Sequence, residues 1–207
     1  MPGAGGRRAR QMASKVGRLW LPANQFMGLD NNGTANITLS QGTPTLEPAS
    51  GTLEVAVIPM TTADEVHTVI PLPWDMDRSA DVAGRVWFIH ASTDASDAPV
   101  YKVGVKFFGK QAQTVEAQAN ADKVTSITHP GTVATDDSLE VTDWTALDWK
   151  SYLADSDIAA AISVELDNLG SSTADECELV GIELAYQRQP GDLHFTGIDA
   201  FVRSNPV

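Results

Sequence analysis

The sequence is poor in the groups that catalysis and metal binding most often need. Cys177 is the only cysteine, so no disulfide can close within the chain and no cysteine-based metal site can form. Four histidines, His67, His90, His129 and His194, stand apart. None lies two or four positions from another histidine or from Cys177, so the spacing of metal ligands is missing. There is no Gly-x-Ser-x-Gly elbow, no Walker-type glycine loop and no Gly-x-Gly-x-x-Gly opening a helix after a strand. With no nucleophile–base pair in view, the sequence predicts a protein that is not an enzyme and that carries no cofactor. Long apolar runs are also lacking. Nothing approaches the roughly 18 residues that a spanning helix needs, and no membrane partner is expected. The N-terminus has arginines but no apolar core of a signal peptide.

Lysine is scarce, at six residues against 27 Asp and Glu, and the formal net charge is −13. The positive charge is concentrated at one end. Arg7, Arg8, Arg10, Lys15 and Arg18 give the first eighteen residues +5 with no acid among them, which leaves −18 on the rest. A loose, solvated terminus is one reading of such a segment. The sharper one is an arm that docks on an acidic neighbour, another copy of the chain included. Nucleic acid would be drawn to the arm but repelled by the body, so it is disfavoured as a partner.

What the chain has is alternation. Val180, Ile182, Leu184 and Tyr186 recur at period two, the pattern of a half-buried antiparallel strand, and Glu183 falls on the other face. Leu53, Val55 and Val57 repeat the pattern, as do Val66, Thr68, Ile70 and Leu72, and Tyr101, Val103, Val105 and Phe107. Ala160, Ile162, Val164 and Leu166 make another such set, and Ile37 with Leu39 a shorter one. Gly84 to His90 is apolar enough to predict a central strand covered on both faces, with Trp87 in the core and a hairpin to the strand at Val100. Ala146 to Asp155 suits one or two helical turns, and Gln111 to Ala121 suits a helix, a polar strand or a loop equally. Asp30-Asn31-Asn32-Gly33 marks a turn, and Asn168 to Glu176 reads as a hairpin loop. Eight or more short strands with turn-rich joints predict an all-β protein, an antiparallel β-sandwich of the jelly-roll kind. Its expected divisions are a basic arm at 1–18, a sandwich at 19–186 and a C-terminal extension at 187–207.

Two residue classes invite a functional reading. Acid pairs recur at Asp75 and Asp77, Asp94 and Asp97, Asp136 and Asp137, and Asp155 and Asp157. They could supply oxygens to calcium or serve as a glycosidase pair, but solvated turn acids explain them more simply. Of the tryptophans, Trp74, Trp144 and Trp149 stand beside polar residues and are expected to be partly exposed. They suit contacts between subunits, or, as the lesser reading, stacking on a sugar.

Pro73-Trp74, Val86-Trp87-Phe88, Ile162 to Leu166, Asp175 in an acid-rich loop, and Leu179 to Tyr186 together resemble a group of small β-sandwich virion proteins of tailed bacteriophages. The resemblance spans roughly residues 50 to 186. It implies a jelly-roll-like structural subunit of head or tail, located in the virion, with no catalytic residue to carry over. On that basis the chain is expected to be a capsid cement or decoration subunit. It would bind copies of itself, with a trimer suiting the arms, and other capsid or tail proteins, through Arg7, Arg8, Arg10, Lys15, Arg18, Trp74, Trp144 and Trp149. The alternatives are a glycan- or receptor-binding sandwich of a phage tail or fibre, and a single-jelly-roll shell protein.

Overall fold

The computed structural model describes residues 16–29, 45–49, 53–90, 98–109, 121–131, 138–169 and 177–189. The strand at Ile37 and Leu39, most of the Gln111 to Ala121 segment, the turn at Asp30 and most of the C-terminal extension lie outside these residues.

Twelve strands are described: β1 (Val16–Pro22), β2 (Met27–Leu29), β3 (Thr45–Ala49), β4 (Leu53–Met60), β5 (Glu65–Pro71), β6 (Val82–His90), β7 (Val100–Gly109), β8 (Lys123–Thr128), β9 (Ser138–Val141), β10 (Thr145–Ala146), β11 (Asp157–Asn168) and β12 (Cys177–Gln187). They form two antiparallel sheets. One runs β10-β6-β12-β4-β3, with β1 added on β12 and β9 on β6. The other runs β2-β5-β11-β7-β8. From β4 to β7 the chain changes sheet at every strand, and β11 and β12 then insert between earlier neighbours. That wrapping is the jelly roll the alternation predicts, with β1, β2 and β3 added to it.

The changes of sheet correct two expectations. β6 pairs with β12, β9 and β10, not with β7, so no hairpin joins Gly84–His90 to the next strand. β11 and β12 belong to opposite sheets, so the two strands do not pair as a hairpin. Periodicity assigns a strand's faces but not its partner: β7 pairs with β8 although residues 110–122 separate them, whereas β6 and β7 lie in opposite sheets.

Inward-facing side chains of both sheets form one core. Val66, Ile70, Tyr101, Val103, Val105, Phe107, Ala160, Ile162, Val164 and Leu166 come from one sheet. They meet Val86, Phe88, Leu179, Ile182, Leu184 and Tyr186 from the other. Phe88 packs on Tyr101 at 5.4 Å between ring centroids, across the gap between the sheets.

β12 does not keep a single phase. Its register against β6 slips between Leu179 and Gly181, leaving Val180 as the extra residue of a bulge. Cys177 and Leu179 before the bulge, and Ile182, Leu184 and Tyr186 after it, belong to the core cluster, whereas Val180 does not. The unbroken alternation expected from Val180 to Tyr186 therefore starts one residue too early.

β6 is covered on one face only. Its burial alternates along the strand, with Val86, Phe88 and His90 inward and Arg85, Trp87 and Ile89 half-buried. Trp87 thus lies on the outer face and not in the core as expected, because the second face of this strand has no sheet against it. Trp149 is the reverse case. It was expected at a partner surface but is 1% exposed. A short 3-10 turn at Trp149–Ser151 stands where one or two helical turns were expected. Trp149 enters the core edge-on to Phe107, at 5.5 Å, while its backbone N–H donates to Asp81 Oδ1 at 2.9 Å. Its charged neighbours Asp148 and Lys150 are no guide to its burial, since in a 3-10 turn successive side chains point to different sides. Trp149→Ala is expected to cost about 3–5 kcal/mol of folding free energy. A chemical denaturation curve little different from that of the unaltered chain would refute the core placement.

Candidate functional site

The outer face of the larger sheet carries the most chemically distinctive surface among the described residues. β1 pairs with β12 over seven residues, placing Trp20 opposite Glu183 and Arg18 opposite Ala185. β6 lies along the other edge of β12, with Arg85 opposite Glu183 and Trp87 opposite Gly181. Across three strands this makes one row: Trp20, Glu183, Arg85. Side chains of one row on one face are near neighbours, so their contacts follow from the pairing.

Glu183 is the hub. Arg18 Nη1 donates to its Oε1 at 3.0 Å. Arg85 donates to Oε2 from Nε at 2.8 Å and approaches the same oxygen with Nη2 at 2.7 Å. Burial pushes the Glu183 carboxyl up, but the hydrogen bond and charge of Arg85, with the charge of Arg18, outweigh it and hold the group below its ordinary value.

Aromatic rings flank the ions. The Arg85 guanidinium lies 4.9 Å from the ring centroid of Trp87 and 4.6 Å from that of Trp144, and Arg18 lies 5.7 Å from Trp144. Such cation–π contacts contribute about 0.5–1 kcal/mol each where solvent reaches them. Trp20 meets Trp87 edge to face at 6.0 Å. Gly181 makes room for this arrangement. A Cβ there would stand 2.5 Å from the Leu21 carbonyl oxygen and 2.8 Å from the far end of the Trp20 ring. Trp20 and Trp144 remain 45% and 38% exposed, and Val141 and Leu139 continue the apolar surface beside Trp87 and Ile89.

The expected site residues fare differently. Arg7, Arg8, Arg10 and Lys15 lie outside the described residues. Arg18 is not part of a free arm: β1 begins at Val16, and Arg18 is held by Glu183 within the sheet. Trp144 joins the cluster. Trp74 is exposed, but in the segment after β5 and apart from the row. There Asp75 accepts from Tyr186 Oη at 3.1 Å and pairs with Arg188 at 3.2 Å, latching that segment to the end of β12. Trp149 is core. Trp20, Arg85 and Glu183 were missed, although a mid-strand arginine and a mid-strand glutamate were legible as outward residues. What periodicity could not supply was their cross-strand register.

Of the acid pairs, Asp94, Asp97, Asp136 and Asp137 lie outside the described residues, while Asp75, Asp77 and Asp157 serve turns and clamps. Asp77 Oδ1 accepts from the Ser79 backbone and hydroxyl at 3.0 and 2.6 Å, and Asp157 Oδ2 accepts from the Ala154 backbone at 2.8 Å. Among the described residues no group of three or more His, Cys, Asp or Glu could hold a metal ion, and no helix is long and apolar enough to cross a membrane. The outer face of the smaller sheet carries ion pairs, with Lys102 near Asp167 and Glu165 and Lys106 on Asp122, beside the exposed Val69 and Val124.

No family model matches the sequence, and neither does any curated protein. Several solved structures are similar to it. A xylan-binding module, CBM15, matches over 84% of this chain and 98% of its own, at 11% identity and a TM-score of 0.44. A family 11 carbohydrate-binding module from Clostridium thermocellum, in complex with a mixed-linked tetrasaccharide, matches over 80% and 98%, at 14% identity and 0.35. The CBM22-1–GH10 modules of a Clostridium thermocellum xylanase, complexed with xylohexaose, match at 10% identity and 0.44; this chain is covered over 82% but spans only 27% of that one. The expectation of a capsid cement subunit is corrected accordingly. These three neighbours are or contain carbohydrate-binding modules, and none of them is a virion subunit. Two of the residues expected to grip a capsid are also otherwise engaged, Arg18 in the sheet and Trp149 in the core.

Two substitutions test the row. Glu183→Gln is expected to lower stability by about 1–3 kcal/mol near neutral pH. Because the folded carboxyl titrates below its unfolded value, this stabilisation is present above the ordinary carboxylate range and is lost as pH falls through the folded value. The difference between the two proteins should therefore close on acidification, and thermal melts showing a constant gap would refute the hub. Gly181→Val is expected to displace Trp20 and loosen β1, costing about 1–3 kcal/mol. An unshifted tryptophan emission spectrum with unchanged stability would contradict that placement.

Proposed function

We propose that the sandwich is a non-catalytic glycan-binding module and that the Trp20–Trp87–Trp144 surface is where the sugar lies. The observation that carries this reading is a shelf of tryptophans, two of them more than a third exposed, with Trp20 and Trp87 on strands that pair with β12 and Trp144 in the short link between β9 and β10. Two large rings of one cluster stay more than a third open, although burying each would stabilise the fold by a few kcal/mol. An indole offers a flat apolar face to the C–H face of a pyranose, while arginine and glutamate at its border supply hydrogen bonds to hydroxyls. The strands hold these groups with little freedom left to lose on binding. The names of the similar structures agree with this reading without carrying it.

The sequence resemblance adds a further proposal, that the module sits on a phage tail or fibre and meets a surface glycan there. Immunogold labelling of intact particles through this chain tests that placement.

A glycan array tests the binding itself. Binding to at least one saccharide class is expected, with Trp20→Ala and Trp144→Ala each weakening it about ten- to a hundredfold. Silence across the array, or binding that both variants leave unchanged, would overturn the reading. A self-associated species in sedimentation that dissolves in Trp20→Ala would instead assign the shelf to contact between copies.

A further inference from the structure

We infer that the shelf selects an anionic saccharide, one bearing carboxylates or sulfate esters, and that Arg18 is the residue that reads the charge. The inference rests on the glycan-binding reading and specifies its ligand class.

The charge on the shelf does not balance. Two guanidinium groups, Arg18 and Arg85, face one carboxylate, Glu183, and no other ion pair involves either arginine among the described residues. The row therefore keeps one excess positive charge on a chain whose formal net charge is −13. The remaining positions of this face are uncharged where the rings stand. Ala83 and Ala185 lie on one side of the row, and Gly181, Val141 and Ile89 on the other. Asp143 flanks Trp144 in sequence but pairs with neither arginine. Glu178 lies beyond the bulge, opposite Ile89.

The two arginines are not equivalent. Arg85 turns Nε and Nη2 on Glu183 and is mostly covered. Arg18 gives only Nη1 and is 62% exposed, so Nε and Nη2 have no acceptor among the described residues. A guanidinium fork with two unengaged nitrogens matches a carboxylate or sulfate in geometry as well as charge. Its neighbour Trp20, two residues along the same face of β1, places the apolar side of a sugar within reach of the same ligand. A neutral glycan would meet the rings but leave the excess charge unanswered. An anionic one satisfies both, and the acidic remainder of the protein would discourage it from settling elsewhere.

Two matched pairs of saccharide separate charge from shape: oligogalacturonate against its methyl ester, and a sulfated galactan against its desulfated form. Isothermal titration is expected to show the charged member of at least one pair bound more tightly, by about ten- to a hundredfold, with the advantage falling as salt rises. Which pair responds distinguishes carboxylate from sulfate. Arg18→Gln should remove the preference for charge, and Arg18→Lys should restore part of it. Glu183→Gln, which removes the one negative charge of the row, should strengthen anion binding in protein whose circular dichroism confirms the fold. Equal affinity within both pairs, or a preference that Arg18→Gln leaves intact, overturns the inference while the glycan-binding reading stands. Binding of no member of either pair also overturns it, and the neutral saccharides of the array then decide whether the broader reading falls too.

Discussion

The pairing of β12 on both its edges is the constraint from which the rest of the structure follows. This strand lies beside β6 along one side and beside β4 and then β1 along the other, so its backbone is engaged over nearly its whole length. A strand so placed must bury one face in the core and offer the other to whatever lies outside. Its inner residues, Leu179, Ile182, Leu184 and Tyr186, do the first. Its outer residue Glu183 does the second and draws an arginine from each neighbouring strand. The bulge at Val180 brings the two duties into register. Without that extra residue Leu179 and Ile182 could not both face inward, because they are an odd number of positions apart. Gly181, next to the bulge, is then the place where the Trp20 ring can lie down on the sheet.

Much of the fold was legible because the inner faces of a sandwich impose period two on the sequence. Val66, Thr68, Ile70 and Leu72, or Ala160, Ile162, Val164 and Leu166, announce themselves in this way, and all are buried. What was not legible has a common cause. The bulge in β12, the separation of β6 from β7 and that of β11 from β12 are facts of pairing between distant segments, and no local pattern encodes them. The tryptophans show the same limit. Trp149 and Trp144 have similar polar neighbours, yet one is core and the other open to solvent, since flanking charges report the faces of those flanks and not of the residue between them. The site was half visible for this reason. Arg18 and Trp144 could be singled out as residue types, while their convergence on Glu183 depends on β1 lying against β12.

That convergence also changes the role of the basic N-terminal segment. Arg18 looked like the last charge of a free arm, to be removed with the arm at no cost to the body. It is a member of the sheet, and three residues of β1, Val16 to Arg18, pair with Ala185 to Gln187. The border between arm and sandwich therefore falls before Val16. Arg18 and Arg85 are fixed by pairing within the sheet, while Arg7, Arg8, Arg10 and Lys15 precede that sheet in sequence.

The antiparallel match of β1 to β12 has a mechanical side. Val16 stands opposite Gln187, so the polypeptide enters the described sandwich and leaves its last long strand at one corner. Tension applied between those two points would open the pair rung by rung, like a zip drawn from its end, because the load falls on the outermost hydrogen bonds first. Tension applied between the corner and the far side of the sheet would load many rungs at once and meet far greater resistance.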